Sequence, residues 1–478
     1  KAVLYAGSQY VYKTWNKGDS WIRISPDLTT NNPDKQKQEE SGGVTVDNSS
    51  AENHCTIFYI AESPLDTNQV WAGTDDGNLQ VTTDGGTTWT NVVKNIKGLP
   101  ANTWCSSIAP GHFDKNTVYV SFENHTRGDM QPYIFKSTDL GKTWTSIATP
   151  DIKSFVHIIA EDIVNPKLLF AGTEMGLFIS IDGGSNWVQY TTKPPDTPVR
   201  DVKVNPVTSD LVIATHGRGL YILDDLTPIR SLTEELLNTD VALLPTRPNY
   251  LSMGQYSGVF PSTGGYVGNN ATEDAVIYYY LKDRASTGEV KLEIYDLNSK
   301  LVQTLPGTKR KGINRITWNM RSLPPKVAHG VRADYAGFIG PLVAEGSYRI
   351  KLIKGDKMYE NLLKLVPLPW ATHTAEDRKL AIAATQRLFA MCEELYGMNN
   401  TVLSLRDSAK AMLELNKDNK SLTKSLTAYV DKCEKQRAVL VAVKEGTAIT
   451  GEEKIRERLS ELYVSVAFFE GRPTSSQI

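Results

Sequence analysis

The first half of the chain repeats a short pattern of apolar and polar positions. A proline opens each copy, and an apolar run rich in β-branched and aromatic residues follows it. The runs commonly end in a small residue or a glycine, as in VWAG at 70–73 and LLFAG at 168–172. Such runs, bounded by turn residues, predict short β-strands. Similar runs occupy 118–120 and 211–214, which indicates a repeated, mainly β architecture.

A second motif repeats in the same register. It has the form Ser/Thr-x-Asp/Asn-x-Gly-x-Ser/Thr/Asn-Trp and occurs four times, beginning at Thr14, Thr82, Ser137 and Ser180. The distances between copies suit one four-stranded propeller blade each, with insertions. Because two independent repeats keep the same order, the sequence predicts β-propeller blades over residues 1–227.

The acidic or amide position of this box is predicted to be structural. Its side chain can accept hydrogen bonds from backbone N–H groups in the tight turn between two strands. The following glycine suits a backbone conformation that other residues resist, and the tryptophan is expected to bury its ring between blades. We expect the box side chains to contact backbone and not ligand; they are Asn16, Asp84, Asp139 and Asp182.

These repeats resemble the BNR or Asp-box β-propellers, in particular large bacterial secreted proteins related to the sortilin ectodomain propeller. The phrases that carry the resemblance are ISPDLT at 24–29, WAGTDDG at 71–77, PYIFKSTDLGKTW at 132–144 and ATHGRGLYILDD at 214–225. The resemblance implies a secreted, periplasmic or cell-surface protein. Proteins of this kind are often labelled glycosyl hydrolases on the repeat alone, but the box specifies fold better than function.

Downstream of the repeats the pattern changes twice. Residues 228–272 are rich in Pro, Gly, Ser and Asn, which predicts linker and loops. Strand-like runs at 276–281, 290–295, 313–318 and 348–353 then predict an immunoglobulin-like β-sandwich over 273–367. From Thr374, with Asp377 completing a capping box, the period becomes helical. Apolar stripes at 380–395, 422–433 and 455–466 predict a helical bundle over 374–478, with a groove for a partner as the alternative.

Composition argues against several classes of protein. The 52 Lys and Arg residues balance 54 Asp and Glu residues and form no basic cluster, so nucleic-acid binding has no support. No apolar run is long enough to span a membrane. The four cysteines show no CxxC spacing, and neither a metal site nor a cofactor is predicted. Cys392 and Cys433 lie on neighbouring predicted helices, where they could form a disulfide or remain buried thiols.

The most unusual polar cluster of the repeats is THGRG at 215–219. When the repeats are aligned, the loop with His216 and Arg218 corresponds to loops of other repeats that carry acidic residues. These residues are Asp75, Asp76 and Glu174. Equivalent loops of a propeller converge on one face near its axis, so these side chains are predicted to line one funnel. The funnel could bind a ligand, or its charges could form a salt-bridged plug that fixes closure of the ring.

A glycoside hydrolase is the strongest enzymatic hypothesis. It needs two carboxylates across the scissile bond, about 5–10 Å apart. The candidates on loops after predicted strands are Asp75, Asp76, Glu174, Glu161 and Asp162. Carboxylates are frequent on propeller loops, however, and no Ser-His-Asp spacing, phosphate loop or zinc-protease motif occurs. The first hypothesis is therefore a non-catalytic binding or scaffold module with a glycan or peptide ligand.

The blades are expected to form part of a larger propeller. The strand-like run 2–5 stands immediately before the first box, which places it in the middle of a blade. Because an open row of blades would leave unpaired strand edges, closure is predicted to need an upstream segment or a second chain. A small propeller that closes on itself is the alternative.

Overall fold

The structure, a computed structural model, describes residues 3–37, 40, 54–192, 195–251, 271–331, 336–444, 451–469 and 471–477. The chain divides into two compact units, Lys1–Leu237 and Asn238–Ile478. The long elements of the first unit are all strands, and the second unit combines strands with three longer helices. The mainly β fold class predicted from the sequence is confirmed.

Five antiparallel sheets follow one another in the described part of the first unit, and we call them blades 1 to 5. Blades 2, 3 and 4 have four strands each, and blades 1 and 5 have three. The strands are β1 (Leu4–Gly7), β2 (Val11–Thr14) and β3 (Ile22–Arg23); β4 (Ile57–Glu62), β5 (Val70–Thr74), β6 (Leu79–Thr82) and β7 (Thr90–Asn91); β8 (Trp104–Pro110), β9 (Val118–Asn124), β10 (Asp129–Ser137) and β11 (Thr145–Ser146); β12 (Val156–Glu161), β13 (Leu169–Thr173), β14 (Gly176–Ser180) and β15 (Val188–Gln189); and β16 (Val199–Val204), β17 (Leu211–Thr215) and β18 (Leu220–Leu223).

Successive blades pack through apolar side chains. The first strands of blades 2 to 5, which are β4, β8, β12 and β16, lie side by side, as inner strands do around a propeller axis. Clusters of buried side chains fill the space between each pair of neighbouring blades. In order along the chain, these clusters include Val11, Trp71, Tyr119 and Phe170.

Each box forms the turn between the last two strands of blades 1 to 4. Its carboxylate or amide oxygen accepts a hydrogen bond from the backbone N–H four residues later, and the first-position hydroxyl donates to the same oxygen. The box glycine has a positive φ, as at Gly86 (105°), where a Cβ would lie 2.5 Å from the Ile24 carbonyl oxygen. The accepting residues are Asn16, Asp84, Asp139 and Asp182.

Two of the box tryptophans donate a hydrogen bond to a backbone carbonyl of the preceding blade. Trp89 Nε1 donates to the carbonyl of Ile24 at 2.9 Å, and Trp187 Nε1 donates to the carbonyl of Ile147 at 2.8 Å. The expectation of a buried ring is wrong for Trp21, which is 41% exposed. Blade 1 is the first described blade, so no described blade precedes it to cover this ring.

Blades 1 and 2, and likewise blades 3 and 4, are joined by a hydrogen bond between a tyrosine and a glutamate. The Tyr119 hydroxyl of blade 3 donates to Oε1 of Glu161 in blade 4 at 3.2 Å, and Tyr5 of blade 1 donates in the same way to Glu62 of blade 2. Lys136 Nζ lies 5.3 Å from the centroid of the Tyr119 ring. Burial, and after it the charge of Glu161, raises the pKa of Tyr119 above its usual value, so the phenol stays protonated and donates.

The described strands of the second unit form a sandwich of two sheets. The strands are β19 (Val241–Leu243), β20 (Asn249–Leu251), β21 (Ala275–Leu281), β22 (Val290–Tyr295), β23 (Leu301–Pro306), β24 (Gly312–Trp318), β25 (Gly346–Lys354) and β26 (Lys357–Pro367). Their orders in the two sheets are β19–β21–β24 and β20–β26–β25–β22–β23. Ile277, Leu292 and Trp318 belong to the common apolar core. All four predicted strands are confirmed, as β21, β22, β24 and β25.

Two strands of this sandwich come from a segment for which the sequence predicted linker and loops. β19 pairs with β21 in antiparallel fashion, and β20 pairs with β26 in parallel fashion. Each has three residues, which is too short for an alternation of apolar and polar positions to show. Two short helices, α1 (Thr227–Arg230) and α2 (Glu234–Asn238), precede them, and residues 252–270 of the same segment lie outside the described residues.

The predicted C-terminal helical region is confirmed. Its helices α3 (Ala375–Leu415), α4 (Lys420–Leu440) and α5 (Ile455–Ala467) contain the three apolar stripes. The predicted capping box, Thr374 with Asp377, is present at the start of α3. Cys392 and Cys433 are both free, buried thiols, so the disulfide that the sequence left open is not formed. Among the described residues, no helix is both long and apolar enough to cross a membrane.

Candidate functional site

The inner strands of blades 2 to 5 each contain a β-bulge at the same place. Pairing with the second strand of the blade shifts by one residue, after the first pair in blades 2, 4 and 5 and after the second pair in blade 3. Bulges re-aim side chains and recur next to functional sites. The residues at the four bulges are Phe58, Ser106, His157 and Arg200.

These bulges share one face of the blades with the predicted site residues. In three blades, the residue after the second strand donates its backbone N–H to a carbonyl just before the inner strand: Asp75 to Thr56, Glu174 to Phe155, and His216 to Pro198. The bulges lie within two or three residues of those carbonyls. Because the chain reverses direction at every strand, the Asp-box turns lie on the opposite face.

His157 lies between two carboxylates from different blades. Its Nδ1 is 3.0 Å from Oε2 of Glu123, at the end of β9, and its Nε2 is 2.9 Å from Oε2 of Glu174. His157 and Glu123 are buried, whereas 36% of the Glu174 side chain is exposed. Nη1 of Arg200 lies 3.2 Å from the same Nδ1, and its Nη2 lies 4.0 Å from Glu174 Oε2. The cluster joins blades 3, 4 and 5.

The hydrogen-bonding capacity of the imidazole determines what this cluster can do. A doubly protonated ring donates from both nitrogens and satisfies both carboxylates, whereas a neutral ring donates to one of them. Each carboxylate thus shares a ring nitrogen of His157 at 2.9–3.0 Å, and the Nδ1 that faces Glu123 also lies 3.2 Å from Arg200 Nη1, so the two carboxylates are coupled through one ring. Among the described residues, no group of three or more His, Cys, Asp or Glu side chains is arranged to hold a metal ion.

Aromatic side chains border the cluster. The His125 ring stacks on Phe155 with the ring centroids 4.6 Å apart, and Phe155 meets His157 edge-on at 4.9 Å. In blade 2, the bulge residue Phe58 is 53% exposed and contacts Trp104 edge-on at 4.8 Å. This face therefore offers exposed apolar surface in addition to charged groups.

The residues that follow two of the bulges bring blades 2 and 5 together. Tyr59 of blade 2 packs against the apolar cluster between blades 4 and 5. Burial, and after it the carboxylate of Asp201 in blade 5, raises the pKa of Tyr59 to about 12. Since Phe58 and Arg200 each precede one of these residues by a single position, they belong to the same central region of the face.

Asp75 and Asp76 accept hydrogen bonds from backbone N–H groups and hydroxyls of nearby threonines. Asp75 accepts from the N–H and the hydroxyl of Thr56 at 2.8 and 3.0 Å, and Asp76 accepts from both groups of Thr30 at 2.6 Å. Burial raises the pKa of Asp75. Burial acts in the same direction on Asp76, but hydrogen bonds from Thr30 and Thr74 outweigh it and lower its pKa. Within the described ranges, no hydrogen bond or ion pair links either carboxylate to His157 or Glu174.

His216 and Arg218 are exposed. In the part of the chain that the structure describes, their side chains make no hydrogen bond or ion pair. Glu174 pairs with His157 and Arg200 instead. The contacts expected of a salt-bridged plug between these loops are therefore not present.

Three residues of the cluster, Glu123, His157 and Arg200, are not apparent from the sequence motifs. The signal that could have found Glu123 is the repeat register. In the register of the bulges, Glu123 of blade 3 is equivalent to Asp75 of blade 2, Glu174 of blade 4 and His216 of blade 5. The bulges that present His157 and Arg200 have no sequence signature of their own.

A second candidate site is an apolar cavity of about 390 Å³ in the second unit. Its walls come from the sandwich, the first turns of α3 and the end of α5, and they include Leu342, Ile382 and Val466. Polar residues line one side. There Arg378 donates to Oε2 of Glu345 through Nε at 3.0 Å and Nη2 at 2.8 Å.

No protein-family model matches the chain, and no curated protein sequence matches it. Solved structures do match. The GH74 xyloglucanase from Xanthomonas campestris is 18% identical over 47% of this chain and 35% of that chain, with a TM-score of 0.35. YCF48 from Cyanidioschyzon merolae is 21% identical over 35% of this chain and 52% of that chain, with a TM-score of 0.26.

The GH74 enzyme from Niastella koreensis is 15% identical over 64% of this chain and 45% of that chain, with a TM-score of 0.30. The chain thus spans 35% of the xyloglucanase and 52% of YCF48. With identities and TM-scores this low, the similarities carry no argument about function.

Proposed function

We propose that this chain is a non-catalytic binding or scaffold module of a secreted or cell-envelope protein, and that its ligand binds on the propeller face that carries the bulges. The observation that carries the proposal is the engagement of the acidic groups. Asp75 and Asp76 are hydrogen-bonded within their own blade or to the neighbouring blade. Glu174 is held by His157. None of these three carboxylates is left free for acid–base catalysis.

The exposed groups of the same face suit recognition. Arg200 has a side chain that is 48% exposed, and Arg218 and His216 are exposed as well. A guanidinium can bind a carboxylate through paired hydrogen bonds, and an exposed ring such as Phe58 supplies a stacking surface. Peptides and glycans offer partners for both kinds of group, so a peptide or glycan ligand remains the proposal. The envelope location rests on the resemblance of the repeats.

A thermal-shift screen of the purified chain with peptides and glycans tests this function. A ligand at about 100 times its Kd stabilises the folded state by about 2.7 kcal/mol, which raises the melting temperature of a unit of this size by roughly 5–10 °C. Arg218→Ala should weaken the response. The control Lys115→Ala removes an exposed charge from the turn between β8 and β9, on the opposite face, and should not weaken it. Equal effects of the two variants would place the ligand elsewhere.

A glycoside hydrolase is the alternative, and one observation favours it. The Oε2 atoms of Glu123 and Glu174 lie 3.0 and 2.9 Å from the two nitrogens of one ring, so they are at most about 8 Å apart, within the separation of glycosidase carboxylates. His157 occupies the space between them, which is why binding is the preferred function. Release of reducing ends from a glycan panel by the chain, abolished in Glu174→Gln, would replace the binding proposal by the hydrolase.

We further propose that an upstream segment or a second chain packs on the open side of blade 5 and completes the propeller. Leu220 pairs with Ala214 as Leu79 pairs with Gly73 and Leu177 with Gly172. Leu79 and Leu177 are 0% exposed, whereas Leu220 is 71% exposed. The native mass of the purified protein tests this. A stable folded monomer of 52.9 kDa that recruits no other chain would contradict completion by a second chain.

A further inference from the structure

We infer that the cavity of the second unit binds a small, uncharged apolar molecule with one polar end. The site is independent of the proposed function because it lies in the other unit. Its volume of about 390 Å³ falls in the range of natural small-molecule sites, roughly 300–1,000 Å³. Three features of the cavity favour such an occupant: its apolar walls, the small residues that keep it open, and the balanced charge of its polar lining.

The walls are apolar on most sides. They include Leu342, Val343, Ile382 and Val466. A water molecule in a protein interior needs two to four polar partners, and apolar cavities therefore stay dry or take up apolar molecules. An apolar occupant is the kind that these walls fit.

Small side chains keep the cavity open. Protein interiors are otherwise close-packed, with few voids larger than a water molecule. Ala381 and Ala467 are buried, so a larger side chain at either position would reduce the space, whereas the other lining alanines are exposed. The alanines that line the cavity are Ala344, Ala371, Ala375, Ala381 and Ala467.

The polar side carries balanced charge. Arg378 is engaged by Glu345 and by the carbonyl of His373. Lys379 and Glu376 are exposed residues of the same α3 segment that also line the cavity. In addition to the Arg378–Glu345 pair, the lining therefore has one further cation, Lys379, and one further anion, Glu376, whose charges cancel. A hydroxyl or carbonyl suits such a rim because it needs no counter-charge, whereas a carboxylate or an ammonium group would find no net opposite charge there.

Isothermal titration of the full chain with octan-1-ol, octanoate and octylamine tests the inference. Octan-1-ol should bind, and the two charged analogues should bind more weakly. Ala381→Leu should weaken octan-1-ol binding by about tenfold or more, because each methylene kept out of the cavity is worth about fourfold in affinity. Ala383→Leu is the matched control, since Ala383 is exposed on the same helix and does not line the cavity. It should leave the affinity unchanged.

Ala467→Val is the second cavity variant if thermal unfolding shows that Ala381→Leu does not fold, because Ala467 also lines the cavity and is buried. No heat of binding at about 1 mM octan-1-ol overturns the site. So does an equal loss of affinity in Ala383→Leu and in the cavity variants. Tighter binding of octanoate or octylamine than of octan-1-ol overturns the assignment to uncharged ligands.

Discussion

Replacing Tyr119 by phenylalanine should lower the free energy of unfolding of the first unit by about 2 kcal/mol. The tyrosine is 1% exposed, and its hydroxyl donates to Glu161, which is 5% exposed. A hydrogen bond to a charged group contributes about 1.5–3 kcal/mol. Phenylalanine keeps the ring between the blades, so the loss comes from the missing donor and not from a cavity. The N–H of His112, 2.6 Å from the other Glu161 oxygen, remains in place.

Tyr295→Phe is the matched control. The Tyr295 hydroxyl also donates to a glutamate, Glu293, at 2.7 Å, but both residues are partly exposed. Water replaces the lost partner there, so the expected loss is below about 1 kcal/mol. Scanning calorimetry gives the comparison, because about 2 kcal/mol lowers the melting temperature of a unit of this size by roughly 4–8 °C.

The pH dependence supplies a second readout. Burial, and then the charge of Glu161, raises the pKa of Tyr119. Its contribution to stability is therefore present below the ordinary tyrosine pKa of about 10 and is lost as the pH rises above that value. Tyr119→Phe should lose less stability than the unchanged chain between about pH 9 and 11. Equal losses in the Tyr119 and Tyr295 variants, or no loss in either, would refute the interblade hydrogen bond.

Four further substitutions follow from burial and can be measured by urea denaturation. Leu177→Ala should lower the free energy of unfolding by about 3 kcal/mol because it opens a cavity between blades 4 and 5. Leu220→Ala should lower it by less than about 0.5 kcal/mol in the chain alone. Equal losses in the two variants would contradict an open face on blade 5. His157→Leu should cost about 3 kcal/mol because buried Glu123 then keeps, among the described residues, only its longer contact with His125 Nδ1, at 3.5 Å, and an unchanged stability would mean that the cluster does not form. Ser180→Ala should cost about 1.5 kcal/mol, because this buried box hydroxyl accepts from Gly184 at 2.9 Å; no loss would count against the box hydrogen bonds.

The sequence predicts the fold where local pattern and tertiary structure agree. The box repeats identify the blades because one turn geometry recurs with the same residue types. The apolar stripes identify α3, α4 and α5, and the capping box identifies the start of α3 at Thr374. The pattern fails for β19 and β20, whose pairing partners are distant in the chain. The predicted burial of the Trp21 ring is also wrong. The motif determines the turn in which this tryptophan lies, but burial of the ring depends on a neighbouring blade that the motif does not describe.

The candidate site is less predictable because it depends on contacts between blades. The repeat register assigns Asp75, Glu174 and His216 to equivalent positions, and their shared backbone hydrogen bonds are consistent with that assignment. It does not reveal which side chains meet. Glu174 contacts His157 rather than His216, because the bulge in β12 aims the imidazole between blades 3 and 4. Bulges follow from strand pairing and twist, which a single sequence does not display.

Differences among the repeats locate the candidate site better than the repeats themselves. Asp75 of blade 2 accepts from the N–H and the hydroxyl of Thr56, just before its own inner strand, so there the carboxylate serves its blade. Glu123 takes the equivalent position in blade 3 and instead reaches His157 in blade 4. A buried carboxylate is costly unless it is paired. The contact of Glu123 with another blade is therefore better explained by the cluster that it builds than by its own blade, which is why we place the ligand on this face.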